Sequence, residues 1–270
     1  MWVYLREGWS AARKQPFVLL TLIIYQFVWG FVIYRFVQSI IDPLLYRFPG
    51  GMLPGSSVQL FFAESEFRLF KTDLAYPYLW WLGGFLALKM LLTPVINAGI
   101  YFSLHQPEMN GGYRFLLGVK ELFKPFLSYY LAQMVLTLLP LYWLIPRAGD
   151  TVRHAHTYQE AALSLLPGLG AMLAYGLLLH LLFTMAMLNR TTERRWSEFW
   201  GTSFRSALPI LGISIIIILT GGVISLLFLS ASMVWAGITA FLLSQLYPFV
   251  KIWLNLWTVA SQYQLWTAKM

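Results

Sequence analysis

The chain has 270 residues, of which 59% are hydrophobic and only 11% are charged, and its net charge is +8. A soluble domain is about half apolar and about a quarter charged, so this composition excludes an ordinary soluble protein and indicates lipid-facing helices. Because the chain has no cysteine, disulfides, thiolate nucleophiles and Cys-ligated metals are excluded as well. We also expect no cofactor.

The first 16 residues predict an amphipathic helix in the membrane interface. Trp2 and Trp9 supply aromatic side chains for the headgroup region, and Arg13 and Lys14 supply positive charge. Pro16 suits the first turn of a following helix, since its missing N–H is not needed there. A secretory signal is the alternative for this end, but the apolar run is long and aromatic and no small-residue cleavage site follows it.

The apolar runs predict six membrane spans of about 20 residues each. They cover approximately residues 17–34, 78–103, 125–145, 163–188, 209–229 and 233–257. Residues 35–76 are the longest connection between spans, rich in Gly and Pro, and we expect them to pack on the outer mouth of the bundle. Shorter connections are expected as a polar loop at residues 147–160 and as a tight turn at residues 230–232.

The fold class is therefore predicted to be all-α and polytopic, with a single transmembrane domain over residues 1–270. The chain divides into three pseudo-repeats, at about residues 1–110, 111–190 and 191–270, each entered by a basic interfacial helix. A Gly precedes a Pro by seven or eight residues in each: Gly8 and Pro16, Gly118 and Pro125, Gly201 and Pro209. The predicted interface residues are Trp2, Trp9, Arg13, Lys14, Lys124, Arg194, Arg195, Trp196 and Trp200.

The distribution of Lys and Arg predicts the orientation of the chain in the membrane. Of the 19 basic residues, eleven fall on the side of the two termini, six fall in the opposite loops, and Lys89 and Lys251 fall within spans. The positive-inside rule then places both termini in the cytoplasm, and we expect the membrane to be that of a bacterial cell. This topology accounts for the net charge of +8, so we expect no nucleic-acid partner.

Three ionisable residues at membrane depth are the candidate ligand-binding residues. Lys89, His180 and Lys251 each fall inside the second span of a repeat, and no Asp or Glu lies within the predicted spans. Such groups usually face a bundle interior or a wet cavity, where an anionic lipid or a small anionic metabolite would be a suitable partner. The alternative is that the lysines extend to the interface along their own stems and bind nothing.

Signals for an enzyme or a metal site are weak. The Gly212-Ile213-Ser214 tripeptide, with His180 on another span, resembles the serine motif of rhomboid-type intramembrane proteases, but here the His precedes the Ser. His154 and His156 are zinc-ligand types, yet a short H-x-H in a polar loop is more typical of solvated side chains. We therefore expect no catalytic residue and no metal.

The layout of the repeats resembles a loose group of bacterial six-helix membrane families of unsettled role. The resemblance is carried by Lys14-Gln15-Pro16-Phe17, by Lys124-Pro125-Phe126, and by Arg205 followed by Pro209-Ile210. The group includes the membrane domain sometimes fused to glycerophosphodiester phosphodiesterases, whose catalytic barrel is absent here. The resemblance implies a small integral membrane protein that organises lipids or partner proteins.

Two functions follow as expectations. The first is a non-enzymatic scaffold, or the membrane subunit of a larger complex, in contact with the bilayer, with anionic lipid or with another subunit. The alternative is a carrier or binder of an anionic lipid or metabolite that uses a central cavity lined by Lys89, His180 and Lys251.

Overall fold

The computed structural model describes residues 1–45, 76–154, 157–193, 196–234 and 238–269, and within these ranges every regular element is an α-helix. The helices are α1 (Trp2–Arg13), α2 (Pro16–Leu45), α3 (Tyr76–His105), α4 (Gly111–Leu138), α5 (Leu141–His154), α6 (Tyr158–Thr191), α7 (Trp196–Val234) and α8 (Ile238–Ala268).

Five helical segments in the described ranges are long and apolar enough to cross a membrane. They are Pro16–Asp42, Tyr76–His105, Gly111–Thr151, Ala162–Thr191 and Ser197–Met233. Between 0 and 39% of the most apolar window of each segment is buried inside the protein, so most of this apolar surface faces outward. Exposed apolar helices of this length are stable only in lipid, and the chain is therefore a multi-helix membrane protein in contact with the bilayer.

The chain divides into two compact units, which are Met1–Leu20 with Pro94–Met270, and Thr21–Thr93. In the smaller unit α2 and α3 meet at the rings of Phe36 and Phe85, whose centroids lie 5.4 Å apart. Trp81 extends this contact, with its ring centroid 5.9 Å from that of Phe85.

In the larger unit the buried residues concentrate at one end of the helices, which we call the buried end. It comprises α1, the last turns of α3, α6 and α8, and the first turns of α4 and α7. α1 packs on α8, α8 on α7, α7 on α6 and α6 on α4. Phe126, Leu188, Ile210, Ile213 and Trp266 are completely buried there.

Away from the buried end, the same helices are largely uncovered. Side chains along the first two thirds of α6, such as Leu166, Leu173 and Leu178, are at least 63% exposed. Ile218 and Leu226 on the second half of α7 are exposed to a similar degree. Apolar side chains on such surfaces are solvated by lipid tails rather than by water.

Two of the three predicted interfacial helices are not separate elements. Only α1 is set apart from the following span, by the turn at Lys14 and Gln15. Pro125 lies inside α4 and Pro209 lies inside α7, so the prediction that helices begin at these prolines was wrong. A proline removes one backbone hydrogen bond, but where little water competes for the remaining ones the helix continues through it.

The tight turn predicted at residues 230–232 was also wrong, because α7 runs on to Val234. Ser230 and Ser232 hydrogen-bond back to the carbonyls of Leu226 and Leu229, at 2.5 and 2.8 Å. These bonds satisfy the hydroxyls within the helix, so the serines do not end it.

The polar loop predicted at residues 147–160 contains a helix up to His154. Side chains in α5 bond to the preceding turn: Thr151 Oγ1 donates to the carbonyl of Arg147 at 2.9 Å, and His154 Nδ1 lies 2.7 Å from the carbonyl of Asp150. The connection predicted at residues 35–76 begins as helix, since α2 continues to Leu45. Residues 46–75 and His156 lie outside the described residues.

Candidate functional site

The turn between α1 and α2 holds a buried polar cluster, which we call the corner cluster (Gln15, Ser103 and Arg114). Lys14 ends α1, and Pro16 starts α2, so Gln15 is fixed between two helices. Gln15 is 2% exposed, and its Nε2 donates to the carbonyl oxygen of Ser103 at 2.8 Å. The amide thus ties the start of α2 to the end of α3.

Arg114 reaches the corner cluster from the first turn of α4. Asn110 caps that helix by accepting a hydrogen bond from Gly112 N, which sets Arg114 one turn into the helix. Arg114 is 4% exposed, and its NH2 group donates to Gln15 Oε1 at 2.6 Å and to the Lys14 carbonyl at 3.3 Å. Its NH1 group donates to the carbonyl of Pro107 at 2.7 Å.

The corner cluster contains a positive charge, on Arg114, whose hydrogen-bond acceptors are all neutral. The acceptors of Arg114 are two carbonyl oxygens and one amide oxygen, all of them neutral. They bond to the NH1 and NH2 groups, whereas the Nε–H is buried without a hydrogen-bond partner among the described residues. None of these acceptors offsets the charge of the guanidinium, and burial weakens the screening of that charge. The cluster is therefore a fixed positive charge beneath the α1–α2 turn.

The seam between α1 and α8 positions the exposed side of α1. Gly8 lies so close to α8 that an added Cβ would be 2.6 Å from the Cα of Ser261. Trp9 lies edge-on to Trp253 and Trp257, with ring centroids 5.1 and 5.0 Å away. The Trp257 indole N–H also donates to the Leu5 carbonyl at 2.8 Å. These contacts fix both the depth and the rotation of α1.

Two further hydrogen bonds cross between helices at the buried end. His105 Nδ1 and the Tyr263 hydroxyl lie 2.9 Å apart, and burial raises the pKa of the Tyr263 phenol above its ordinary value. Gln262 Nε2 donates to Ser214 Oγ at 2.9 Å, and that hydroxyl donates to the carbonyl of Ile210. Polar side chains that bond across apolar helices hold the helices together.

The three predicted ligand residues are not brought together by any contact in the described ranges. Lys89 is exposed and belongs to the smaller unit, and its carbonyl accepts a hydrogen bond from Thr93. Lys251 is an exposed residue of α8. His180 Nδ1 lies 3.4 Å from Gln133 Nε2. Ser214, which the protease-like motif would pair with His180, instead accepts a hydrogen bond from Gln262. Their convergence on one cavity stays a prediction.

The predicted interface residues divide into exposed and packed side chains. Five of them lie on the outer surface of the buried end with exposed side chains: Trp2, Arg13, Lys14, Lys124 and Trp200. Trp9 is only half-exposed, because it packs against α8. Arg194, Arg195 and the side chain of Trp196 lie outside the described residues.

Sequence reasoning did not single out Gln15 or Arg114 as members of a site. In the sequence-based prediction Arg114 was only one of the basic residues on the side of the termini, and Gln15 was only part of the Lys14-Gln15-Pro16-Phe17 segment. An Arg four residues after a helix-capping Asn, ahead of an apolar run, was the available signal. The sequence alone gives no partner for that Arg, because Gln15 is ninety-nine residues away.

The fold and its polar contacts define an all-helical membrane protein in whose described part several polar side chains hydrogen-bond from one helix to another or to the turn between α1 and α2. Comparison with models of known protein families, with curated proteins and with solved structures finds no match to this chain.

Proposed function

We propose that the chain is a non-enzymatic integral protein of a bacterial cell membrane, acting as a scaffold or as the membrane subunit of a larger complex. The observation that carries this proposal is the corner cluster. Its buried amide and the NH1 and NH2 groups of its buried cation, which would be the natural candidates for chemistry, donate hydrogen bonds to other groups of the chain itself. What remains available for contact is the outward apolar surface of the helices, which suits lipid or another subunit.

We further propose six spans, with α8 as the sixth. α8 has 31 residues, which corresponds to about 46 Å of helix at ~1.5 Å per residue, and the hydrocarbon core to be crossed is about 30 Å thick. The ends of α3, α6 and α8 and the beginnings of α4 and α7 lie together at the buried end, as alternate crossings require. These segments belong to the side predicted to be cytoplasmic together with both termini.

The proposal of three repeats receives support from the first two glycines of the motif. Gly8 makes a close approach to Ser261 of α8, and Gly118 makes one to Ala98 and Phe102 of α3. In each case the basic segment that opens one repeat packs on the second span of the preceding repeat, if the third repeat is taken to precede the first. Gly201 has open space around it and does not follow this pattern. We propose this layout on the pattern of the six-helix families that the sequence resembles.

The topology can be tested with single cysteines, because the chain has none of its own. Ser10→Cys and Glu108→Cys report on the buried end, and Gly149→Cys on α5 reports on the opposite side. A membrane-impermeant maleimide applied to intact spheroplasts is expected to label Gly149→Cys alone, and the other two only after permeabilisation. Labelling of Ser10→Cys and Gly149→Cys from the same side would refute the alternate crossings.

The scaffold function is tested by native mass spectrometry of the protein extracted from its own membranes at natural abundance. A subunit of a complex is expected to appear above its own mass of 31.1 kDa, by the mass of a defined protein at fixed stoichiometry. The control is the same chain overproduced alone, which is expected to lack that added mass. Retention of only a small molecule would overturn the scaffold function in favour of carriage.

The alternative function is carriage or binding of an anionic lipid or metabolite. It is favoured by one observation: Lys89 and Lys251 are exposed along otherwise apolar helices, where an anion would offset the cost of their charge. The double variant Lys89→Met/Lys251→Met is expected to lose such a ligand while its melting temperature is retained. A ligand that stays bound to the double variant would rule out these lysines as its site.

A further inference from the structure

The orientation of α1 is fixed by its contacts with α8, and this exposes a basic face. Leu5, Gly8 and Ala12 are buried on one side of the helix. On the other side Arg6, Arg13 and the adjoining Lys14 are exposed, with Glu7 as the one acidic residue on that helix. Trp2 is 80% exposed at the start of the same helix. The exposed side therefore combines net positive charge with an aromatic side chain.

We propose that the α1–α2 corner binds the phosphate of an anionic phospholipid headgroup, with Arg13 and Lys14 as its direct ligands. This inference rests on the proposed role as an integral membrane protein. It concerns a site at the edge of the bilayer, separate from the predicted central cavity of Lys89, His180 and Lys251.

Arg13 is held in place before any ligand arrives. Its guanidinium carbon lies 5.2 Å from the centroid of the Trp9 ring, and Trp9 is itself fixed against α8. Stacking on an aromatic face leaves the N–H groups at the guanidinium edge free to donate to phosphate oxygens. A positioned side chain loses less conformational entropy on binding than a mobile one.

Lys14 is fixed through its backbone rather than its side chain. Its carbonyl oxygen accepts a hydrogen bond from Arg114 NH2 at 3.3 Å, while its ammonium is exposed. The same contact places the buried, uncompensated charge of Arg114 directly behind Lys14. Three positive charges thus lie at one corner, and an anion there is attracted by all of them.

The position of the corner identifies the source of the phosphate. α2, an apolar helix long enough to span the membrane, begins two residues after Lys14 at Pro16. Phe17, on the first turn of α2, is 37% exposed, so exposed apolar surface begins three residues after Lys14. A headgroup phosphate lies at this depth with its acyl chains beside α2, whereas a free phosphate would make no use of the apolar side.

The test is a native mass spectrometry titration of the full chain in detergent with phosphatidylglycerol, and with phosphatidylcholine of the same acyl chains. Wild-type protein is expected to bind phosphatidylglycerol more tightly. The variant Arg13→Gln/Lys14→Gln is expected to weaken that binding about thirtyfold, because each basic side chain near an anionic surface contributes a factor of about five.

The matched control removes two other exposed arginines that also stack on rings. Arg35 lies 5.5 Å from the Phe31 ring centroid, and Arg147 lies 3.3 Å from that of Trp143. The variant Arg35→Gln/Arg147→Gln is expected to change the affinity less than about twofold. If the corner variant melts at a lower temperature than wild type, the swap Arg13→Lys/Lys14→Arg keeps the charge and is expected to restore binding.

Three outcomes would overturn the proposal. They are equal affinity for the two lipids, an unchanged affinity in the corner variant, and displacement of the lipid by excess inorganic phosphate, which would assign the site to a free anion. The titration uses no partner protein and no sealed membrane. Its failure therefore leaves the tests of topology and of the scaffold function unaffected.

Discussion

Arg114 NH2 donates a 2.6 Å hydrogen bond to Oε1 of Gln15, and both side chains are almost fully buried. The same glutamine donates through Nε2 to the Ser103 carbonyl. One amide therefore connects the turn between α1 and α2 to the end of α3 and to the start of α4.

We expect Gln15→Ala to destabilise the protein by about 2–4 kcal/mol. The change removes a charge-assisted bond and leaves part of a buried guanidinium without an acceptor. The measurement is the free energy of unfolding, or the melting temperature, in a mild detergent. Lys14→Gln changes the exposed neighbour and is expected to leave the melting temperature unaltered. Equal melting temperatures for Gln15→Ala and wild type would mean that the corner cluster contributes nothing to stability.

Gly8 and Gly201 occupy the same place in the predicted motif but have different surroundings. A Cβ at Gly8 would lie 2.6 Å from backbone atoms of Ser261, and nothing lies within 4 Å of one at Gly201. Gly8→Ala is therefore expected to cost about 1–3 kcal/mol through overpacking. Gly201→Ala is expected to stabilise α7 by roughly 0.5–1 kcal/mol, because Ala loses less backbone entropy in a helix. Both are measured by thermal unfolding, and a stabilising Gly8→Ala would contradict the close packing of α1 on α8.

Tyr263 should make stability fall at high pH. Burial raises the pKa of its phenol in the folded protein above the ordinary value of 10.0, so between these two pKa values the unfolded chain releases a proton that the folded chain keeps. This contribution is complete below pH 10 and is lost as the pH rises through the folded pKa. Melting temperatures between about pH 9 and pH 11 should decline less steeply for Tyr263→Phe than for wild type. Parallel profiles would show that Tyr263 has no part in the decline.

The contact between Gln133 and His180 gives a test of whether His180 serves packing or binding. The two side chains lie 3.4 Å apart on α4 and α6. A double-mutant cycle with Gln133→Leu and His180→Leu is expected to give a coupling of about 0.6 kcal/mol, the usual size for polar pairs between membrane helices. No coupling, combined with loss of a bound anion in His180→Leu, would assign His180 to a ligand site instead.

The helices themselves were largely predictable from sequence, because long apolar runs have few alternatives in lipid. The five candidate spans lie over five of the six predicted ones. The helix start predicted at Pro125 and the turn predicted at Ser230 were wrong, because proline and serine ordinarily mark helix ends in water. In these helices the chain has little else to bond to, so the backbone pattern continues through both residues.

The corner cluster was beyond sequence reasoning for a different reason. Pairing Arg114 with Gln15 requires the angle of the turn at Lys14 and the approach of α3 to α4, where Gly99 and Gly118 admit the rings of Phe115 and Phe102. Neither follows from periodicity. A polar residue in a basic segment is ordinarily solvated, and only tertiary packing turns this one into a buried connection.

The docking of α1 on α8 has a consequence for the order in which the protein is built. α1 leaves the ribosome before the other described helices, and α8 leaves after them. Until α8 is made, Gly8 and Trp9 lack the α8 surface on which they pack in the folded protein. The newly made α1 therefore stays undocked for that time. Its combination of Trp2, Arg6 and Arg13 suits adsorption to the bilayer surface during that interval. Docking of α1 therefore waits for synthesis of α8, so a nascent chain that stalls before α8 leaves α1 undocked.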